Sequence, residues 1–262
     1  MLSRSQKITD FGNIQNASFD HINSLLSEVK ARWDFHKITI EKDKIPSSLI
    51  KLANSQSHVI IVDASTSRLF LFENENGTPR MKGDFYVTIG KNGTGKYTEG
   101  DQKTPIGVYF VTGFIPSEDL PDLYGDGAFP IDYPNDWDQR HGRTGYGIWL
   151  HGTPSTIYSR APKDSNGCVI VSNNDLNTLS HFIDEGKTPV IITNSINWVT
   201  KQNWESRSTN YNLFVEKWRQ DWESLDVNLY LRHYSKEYMG LGKDYNSWVE
   251  YKRRVIPMKK YI

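Results

Sequence analysis

One cysteine, Cys168, is all that 262 residues contain. A single thiol excludes an internal disulfide and a cysteine-built metal cage. It suits a reducing compartment, or an envelope protein that keeps its one thiol for chemistry. Charge of either sign is not in excess, with 31 Lys and Arg against 31 Asp and Glu. That balance leaves no global basic field to hold nucleic acid. No apolar run approaches the roughly 20 residues of a membrane span. The start, Met1-Leu-Ser-Arg-Ser-Gln-Lys-Ile8, lacks an apolar core, so no signal peptide is visible. No His, Cys, Asp and Glu set has metal-ligand spacing, and no metal or other cofactor is expected.

What is present changes texture twice along the chain. Residues 1–56 read as an N-terminal helical arm. Phe19, Ile22, Leu25, Leu26, Val29 and Trp33 recur at helical spacing, with Ser18 or Asp20 near the cap, and 46–53 suggests a second short helix. These helices are expected to pack on the body of the protein. Residues 57–195 read as a mainly β domain with strands near 58–63, 68–72, 81–89, 107–112, 147–151, 167–171 and 188–193. A helix is capped at Asn173-Asn-Asp-Leu176. Between the strands lies a long Pro-, Gly- and Asp-rich loop, 116–143, a length that usually signals function. Residues 196–262 turn helical again, with a break expected at Asp226 and an amphipathic helix over 245–255. The fold class is therefore α+β. Trp204, Trp218, Trp222 and Trp248 are a large aromatic load, and if their faces are not covered within the monomer a homo-oligomer is expected.

Gly90-Lys-Asn-Gly-Thr-Gly95-Lys96-Tyr97 has the spacing of a phosphate-binding loop, but Tyr97 stands where a Ser or Thr would hold magnesium. The Thr98-Glu-Gly-Asp-Gln-Lys-Thr-Pro105 that follows cannot open a phosphate-cradling helix. It reads as a strand-to-strand loop.

The chemistry concentrates at His151-Gly152 and Ser165-Asn166-Gly167-Cys168-Val169. A thiol is a poor nucleophile until deprotonated, and an imidazole from a neighbouring strand can take its proton. Cys168 reads as nucleophile and His151 as base, later as acid to the leaving amine. Gly167 removes bulk beside the sulfur. Its N–H and that of Cys168 are candidate oxyanion donors, each worth about 2.7–4 kcal/mol.

These residues resemble the L,D-transpeptidase (YkuD-like) catalytic domain over roughly 57–195. The resemblance rests on His151-Gly152, Ser165-x-Gly167-Cys168-Val169, and, in order upstream, Gly90, Gly100-Asp101 and Thr104-Pro105-Ile-Gly107-Val-Tyr109. Asn174-Asp175-Leu176 matches the family's helix start. Two features depart from the common pattern: Ile170 stands where many members have an Arg, and the His-to-Cys loop carries Tyr158-Ser-Arg160-Ala-Pro. That loop is similar to the branch with a C-terminal NTF2-like domain, which includes peptidoglycan-trimming carboxypeptidases that influence cell shape. The stretch 213–240 looks like the opening helices of such a domain, without its cone-shaped sheet, so the tail reads as a partial domain or a helical remnant.

The resemblance implies that a backbone carbonyl at Gly152 orients His151. It implies peptidoglycan stem peptides as partners and the diaminopimelate–D-Ala bond as the target, cleaved through a Cys168 thioester. An amine acceptor gives a cross-link by L,D-transpeptidation, and water gives carboxypeptidase trimming. A wall-binding module with a degenerate site is the remaining reading. It also implies the periplasm or cell envelope. The terminal carboxylate calls for a cation, for which Arg160 and Arg143 are candidates, alongside a solvated role for both. Tyr109 is a candidate to line the site, and Ser165 to hydrogen-bond within the turn.

Overall fold

The computed structural model describes residues 4–41 and 43–260, with side chains from Phe19 onward. The first three residues of the stretch searched for a leader lie outside the described residues. The described chain falls into two compact units, Met1–Val199 and Thr200–Ile262.

The first unit opens with one helix, α1 (Arg4–His36), followed by β1 (Lys44–Pro46), β2 (His58–Asp63), β3 (Arg68–Glu75), β4 (Thr78–Tyr86), β5 (Ile89–Gly90) and β6 (Gly107–Phe110). Then come β7 (Ile115–Pro116), β8 (Gly127–Pro130), α2 (Asp136–Arg140), β9 (Trp149–His151), β10 (Lys163–Ser165), β11 (Val169–Ile170), α3 (Asn173–Ser180), β12 (Pro189–Thr193) and β13 (Trp198–Thr200). Five strands form one sheet in the order β4-β3-β2-β12-β6, and four form another in the order β11-β9-β8-β7. β5 pairs separately with β10. Ile60, Val62, Leu69, Leu71, Tyr109 and Val190 meet Phe129, Leu150, Val169, Leu176 and Leu179 in one buried cluster. β2 is apolar on both faces, and Val59 and Ile61 are as buried as Ile60 and Val62. A strand read as a continuous β-branched run is one covered on both sides. Phe70, in the neighbouring β3, is met by Phe35 of α1 and Trp198, with ring centroids 6.1 and 5.3 Å away.

Three expectations for this unit are corrected. The helix begins at Arg4, so Ser18 and Asp20 lie inside it rather than at its cap. Its apolar stripe does not pack: Phe19, Ile22, Leu25, Leu26, Val29 and Trp33 are all exposed. The face that docks carries Glu28, Arg32 and Phe35, one helical turn apart, with Arg32 stacked 4.0 Å over Tyr86 and Glu28 hydrogen-bonded to Ser159. The second short helix is absent, because 44–46 is extended and Leu49 closes only a turn onto Pro46. Periodicity reports which residues are apolar, not which face finds a partner. The long loop is also less free than its composition suggests. It contains β8, which pairs antiparallel with β9 and so joins the sheet that carries His151.

The second unit holds α4 (Lys201–Glu223), α5 (Val227–Leu231), β14 (Met239–Gly240), β15 (Lys243–Asp244) and α6 (Tyr245–Val255). The break falls where expected. Leu225 takes a left-handed φ of 62°, and Asp226 caps α5 through the N–H groups of Asn228 and Leu229. Tyr230, Leu231, Trp248 and Ile256 form the core, with Trp218 and Trp222 packed against it. Trp204 and Trp248 are each only 6% exposed, and Trp218 and Trp222 are half-buried. His233 Nε2 donates a 2.7 Å hydrogen bond to the buried carboxylate of Asp221. Among the described residues of this unit the only strands are β14 and β15. No helix of the described residues is long and apolar enough to cross a membrane.

Candidate active site

Parallel pairing of β11 with β9 sets Val169 opposite Leu150 and Ile170 opposite His151. Leu150 and Val169 both point into the core. Side chains alternate along a strand, so His151, Trp149 and the Cys168 that precedes β11 share the opposite face. Two adjacent strands thereby deliver the imidazole and the thiol to one side of the sheet.

His151 is buried, with Nδ1 2.7 Å from the carbonyl oxygen of Gly152. A carbonyl only accepts, so Nδ1 carries the proton and Nε2 is left as the basic nitrogen. Burial pushes the imidazole down to about 4, against the raising effect of the Gly152 carbonyl, with Arg160 adding to the depression. Cys168 is half-buried, and its thiol lies 3.4 Å from the Gly147 carbonyl. Burial pushes the thiol up, opposed by the Trp149 backbone N–H and by Lys96. Both shifts favour the neutral imidazole and the neutral thiol over an ion pair.

The turn before the cysteine is built by Ser165. Its hydroxyl donates to the Cys168 carbonyl at 2.7 Å and accepts from the Gly167 N–H at 3.0 Å. The Gly167 N–H is thus already satisfied, which corrects its reading as an oxyanion donor. The glycine is required for another reason. Its φ is +129°, and a Cβ there would lie 2.9 Å from the Lys103 carbonyl oxygen. Thr104 Oγ1 closes the arrangement, donating to the Gly167 carbonyl and accepting from the Gly90 N–H, both at 2.9 Å.

The decoy loop supports this turn. Lys96 is 4% exposed and its Nζ bonds Asp101 at 3.0 Å and the Thr98 carbonyl at 3.1 Å, so it faces inward and not toward a phosphate. Asp101 also accepts from the N–H groups of Tyr97, Thr98 and Lys103. Those backbone bonds and Lys96 outweigh its burial and hold it down at about 2.

The remaining sequence candidates divide. Tyr109 has no exposed surface and its hydroxyl reaches the Ile106 carbonyl and Asp138, so it is a core residue and not a lining one. Arg143 is tied to the buried carboxylate of Asp138 at 2.6 Å. Its charge is spent on that partner. Arg160 pairs with Asp164 at 3.0 Å and is close enough to His151 to act on its charge. Ile170 is 2% exposed and brings no cation to the site.

Sequence reasoning missed Tyr124. Its ring lies 5.0 Å from that of His151, edge to face, and 4.9 Å from that of Trp149. Its hydroxyl is pushed up by burial and then by the neighbouring Cys168. An aromatic next to Gly125 and two residues after Asp122 in a long loop was the available signal. Two residues past the histidine, Thr153 joins Ser155, Thr156, Ile157, Tyr158, Asn173 and Asn174 in lining a pocket of about 250 Å³ without a charged side chain. Among the described residues no cluster of His, Cys, Asp and Glu could hold a metal ion.

Residues 57–192 match the L,D-transpeptidase catalytic domain termed YkuD, and residues 201–262 match the Cds6 C-terminal NTF2-like domain. The fold is similar to that of Bd1075 from Bdellovibrio bacteriovorus, at 33% identity and a TM-score of 0.73, covering 84% of this chain and 78% of that one. It is also similar to Pgp2, a helical cell shape determining protein from Campylobacter jejuni, at 22% identity and a TM-score of 0.67, covering 88% and 78%. Comparison with curated proteins returns no match.

Proposed function

The chain belongs to the YkuD family of L,D-transpeptidase catalytic domains, and on that premise we propose that it is a cysteine acyltransferase acting on peptidoglycan stem peptides in the cell envelope. The observation that supports this reading is the tautomer of His151. With Nδ1–H given to Gly152, Nε2 faces the reaction as a neutral base on the same side of the sheet as Cys168.

The steps follow from that state. The Cys168 thiol gives its proton to His151 Nε2 as the sulfur attacks the carbonyl carbon of the diaminopimelate–D-Ala bond. The oxyanion faces the backbone N–H of Cys168, the donor of the original pair not taken by Ser165. Collapse breaks the C–N bond, His151 returns the proton to the leaving D-Ala amine, and a thioester remains. Arg160 is the cation for the D-Ala carboxylate: both arginines are paired, but Arg143 is held by the buried Asp138, whereas Arg160 pairs with the solvent-reached Asp164 that a substrate carboxylate can displace. An amine from a second stem then takes the acyl group, giving an L,D cross-link.

A second reading keeps every step but the last and uses water, trimming tetrapeptide to tripeptide. Two observations favour it: no cation stands at Ile170, and a fold neighbour spanning both units is a cell shape determining protein. Incubation with disaccharide tetrapeptides and separation of products by mass decides between them. Cross-linked dimers support transpeptidation, and tripeptide with free D-Ala supports trimming. Absence of both, with no labelling of Cys168 by a thiol reagent, would leave only a wall-binding module.

A further inference from the structure

The peptide that orients His151 is itself held by a single side chain. Asn173, first residue of α3, places Oδ1 3.0 Å from the Thr153 N–H and 3.2 Å from the Asp126 N–H, and its Nδ2 donates to the Thr153 carbonyl at 2.9 Å. Two N–H groups meet the oxygen and one carbonyl meets the nitrogen, so only a carboxamide satisfies all three at once. The fit is tight from both directions. A Cβ on Gly152 would lie 2.0 Å from Asn173 Oδ1, and one on Gly125 would lie 2.1 Å from it. Gly152 in turn donates its N–H to the Tyr124 carbonyl at 3.1 Å. One amide therefore ties together the residue whose carbonyl holds His151 and the loop segment whose Tyr124 ring stands against the imidazole.

We propose that Asn173 is a positioning residue for the reaction: by clamping the 152–153 peptide to residues 124–126 it fixes the imidazole as a base toward Cys168. This rests on His151 and Cys168 being the reacting pair, but not on the substrate they act upon. A neighbouring bond supplies the control. Asn177 on the same helix donates to the Asp126 carboxylate at 2.8 Å without touching the 152–153 peptide.

The test is alkylation of Cys168 by iodoacetamide in the full chain across pH, followed by intact mass, with circular dichroism confirming the fold. Asn173→Ala and Asn173→Asp are each expected to react about tenfold more slowly than wild type near pH 7. The difference should shrink steadily as pH rises, where hydroxide rather than the imidazole takes the thiol's proton. Loss in both variants separates lost positioning from the added charge of Asp. Asn177→Ala should follow wild type throughout. With a stem-peptide substrate the same variants should lose about 100-fold in kcat with little change in KM. Should Asn173→Ala not fold, Asn173→Ser replaces it. Unchanged alkylation profiles in the Asn173 variants, or an equal loss in Asn177→Ala, would overturn the proposal. Failure of wild type to turn over stem peptides would sink the functional reading alone, because alkylation reports on Asn173 without it.

Discussion

His151 gives its Nδ1 proton to the carbonyl of the very next residue, Gly152, at 2.7 Å. No carboxylate takes the place of that carbonyl, and burial outweighs the carbonyl's support for the charged imidazole. The balance falls on the neutral side, and this governs how the protein should respond to pH.

Activity should persist well into acid. A free histidine would cease to act as a base below about 6.5. Here burial depresses it to about 4, so the acid limb of kcat/KM should have its midpoint nearer 4 than 6.5. A pH–rate profile checks this. His151→Gln, which cannot accept the proton, should lower kcat by about 100-fold to 10,000-fold.

The same shift makes stability depend on pH. The native imidazole protonates only near 4, whereas the unfolded one protonates near 6.5. Between those values the unfolded chain binds more protons, so stability falls as pH falls through that window. The full shift corresponds to about 3 kcal/mol, all lost below pH 4. Denaturant melts of wild type and His151→Gln at pH 7 and pH 4 should therefore show wild type losing more stability than the variant.

Gly167→Ala should damage the site even though it adds one methyl group. The φ of +129° is open to glycine and strained for alanine, and the new Cβ would press on the Lys103 carbonyl at 2.9 Å. A cost of about 1–3 kcal/mol is expected, together with lost turnover as the turn carrying Cys168 shifts. Thermal melting and kinetics on the same preparation measure both.

Lys96 and Asp101 should not be equivalent. Asp101→Ala removes the acceptor of three backbone N–H groups and strands a buried ammonium, costing about 3–5 kcal/mol. Lys96→Met leaves Asp101 with its backbone donors and fills much of the same volume, so its cost should be clearly smaller. Urea unfolding of the two variants ranks them.

Much of this was legible in the sequence because the chemistry is local. Cys168, His151 and the Ser165 turn lie within 18 residues, and strand alternation alone predicts that neighbouring strands can present them together. The helix break at Asp226 and the span of α6 were marked by a cap and by period. What stayed hidden depends on folded geometry. The sequence does not say that the nearby Ser165 hydroxyl takes the Gly167 N–H, that Asp138, a few residues upstream, claims Arg143, or, at long range, that Tyr109 is wholly enclosed. Tyr124 was hidden for the same reason: only the β8–β9 pairing brings the long loop back against His151. On α1 the apolar stripe was read correctly as a stripe, but the helix docks through Glu28, Arg32 and Phe35 instead.

The central claim is that Cys168 carries the acyl group. Wild-type protein quenched in acid during turnover of a tetrapeptide stem, digested, and weighed by mass spectrometry should show the stem acyl group on the peptide containing Cys168, with neither adduct nor product in Cys168→Ala. Product formation without an adduct on that peptide, or unchanged turnover in Cys168→Ala, would contradict it.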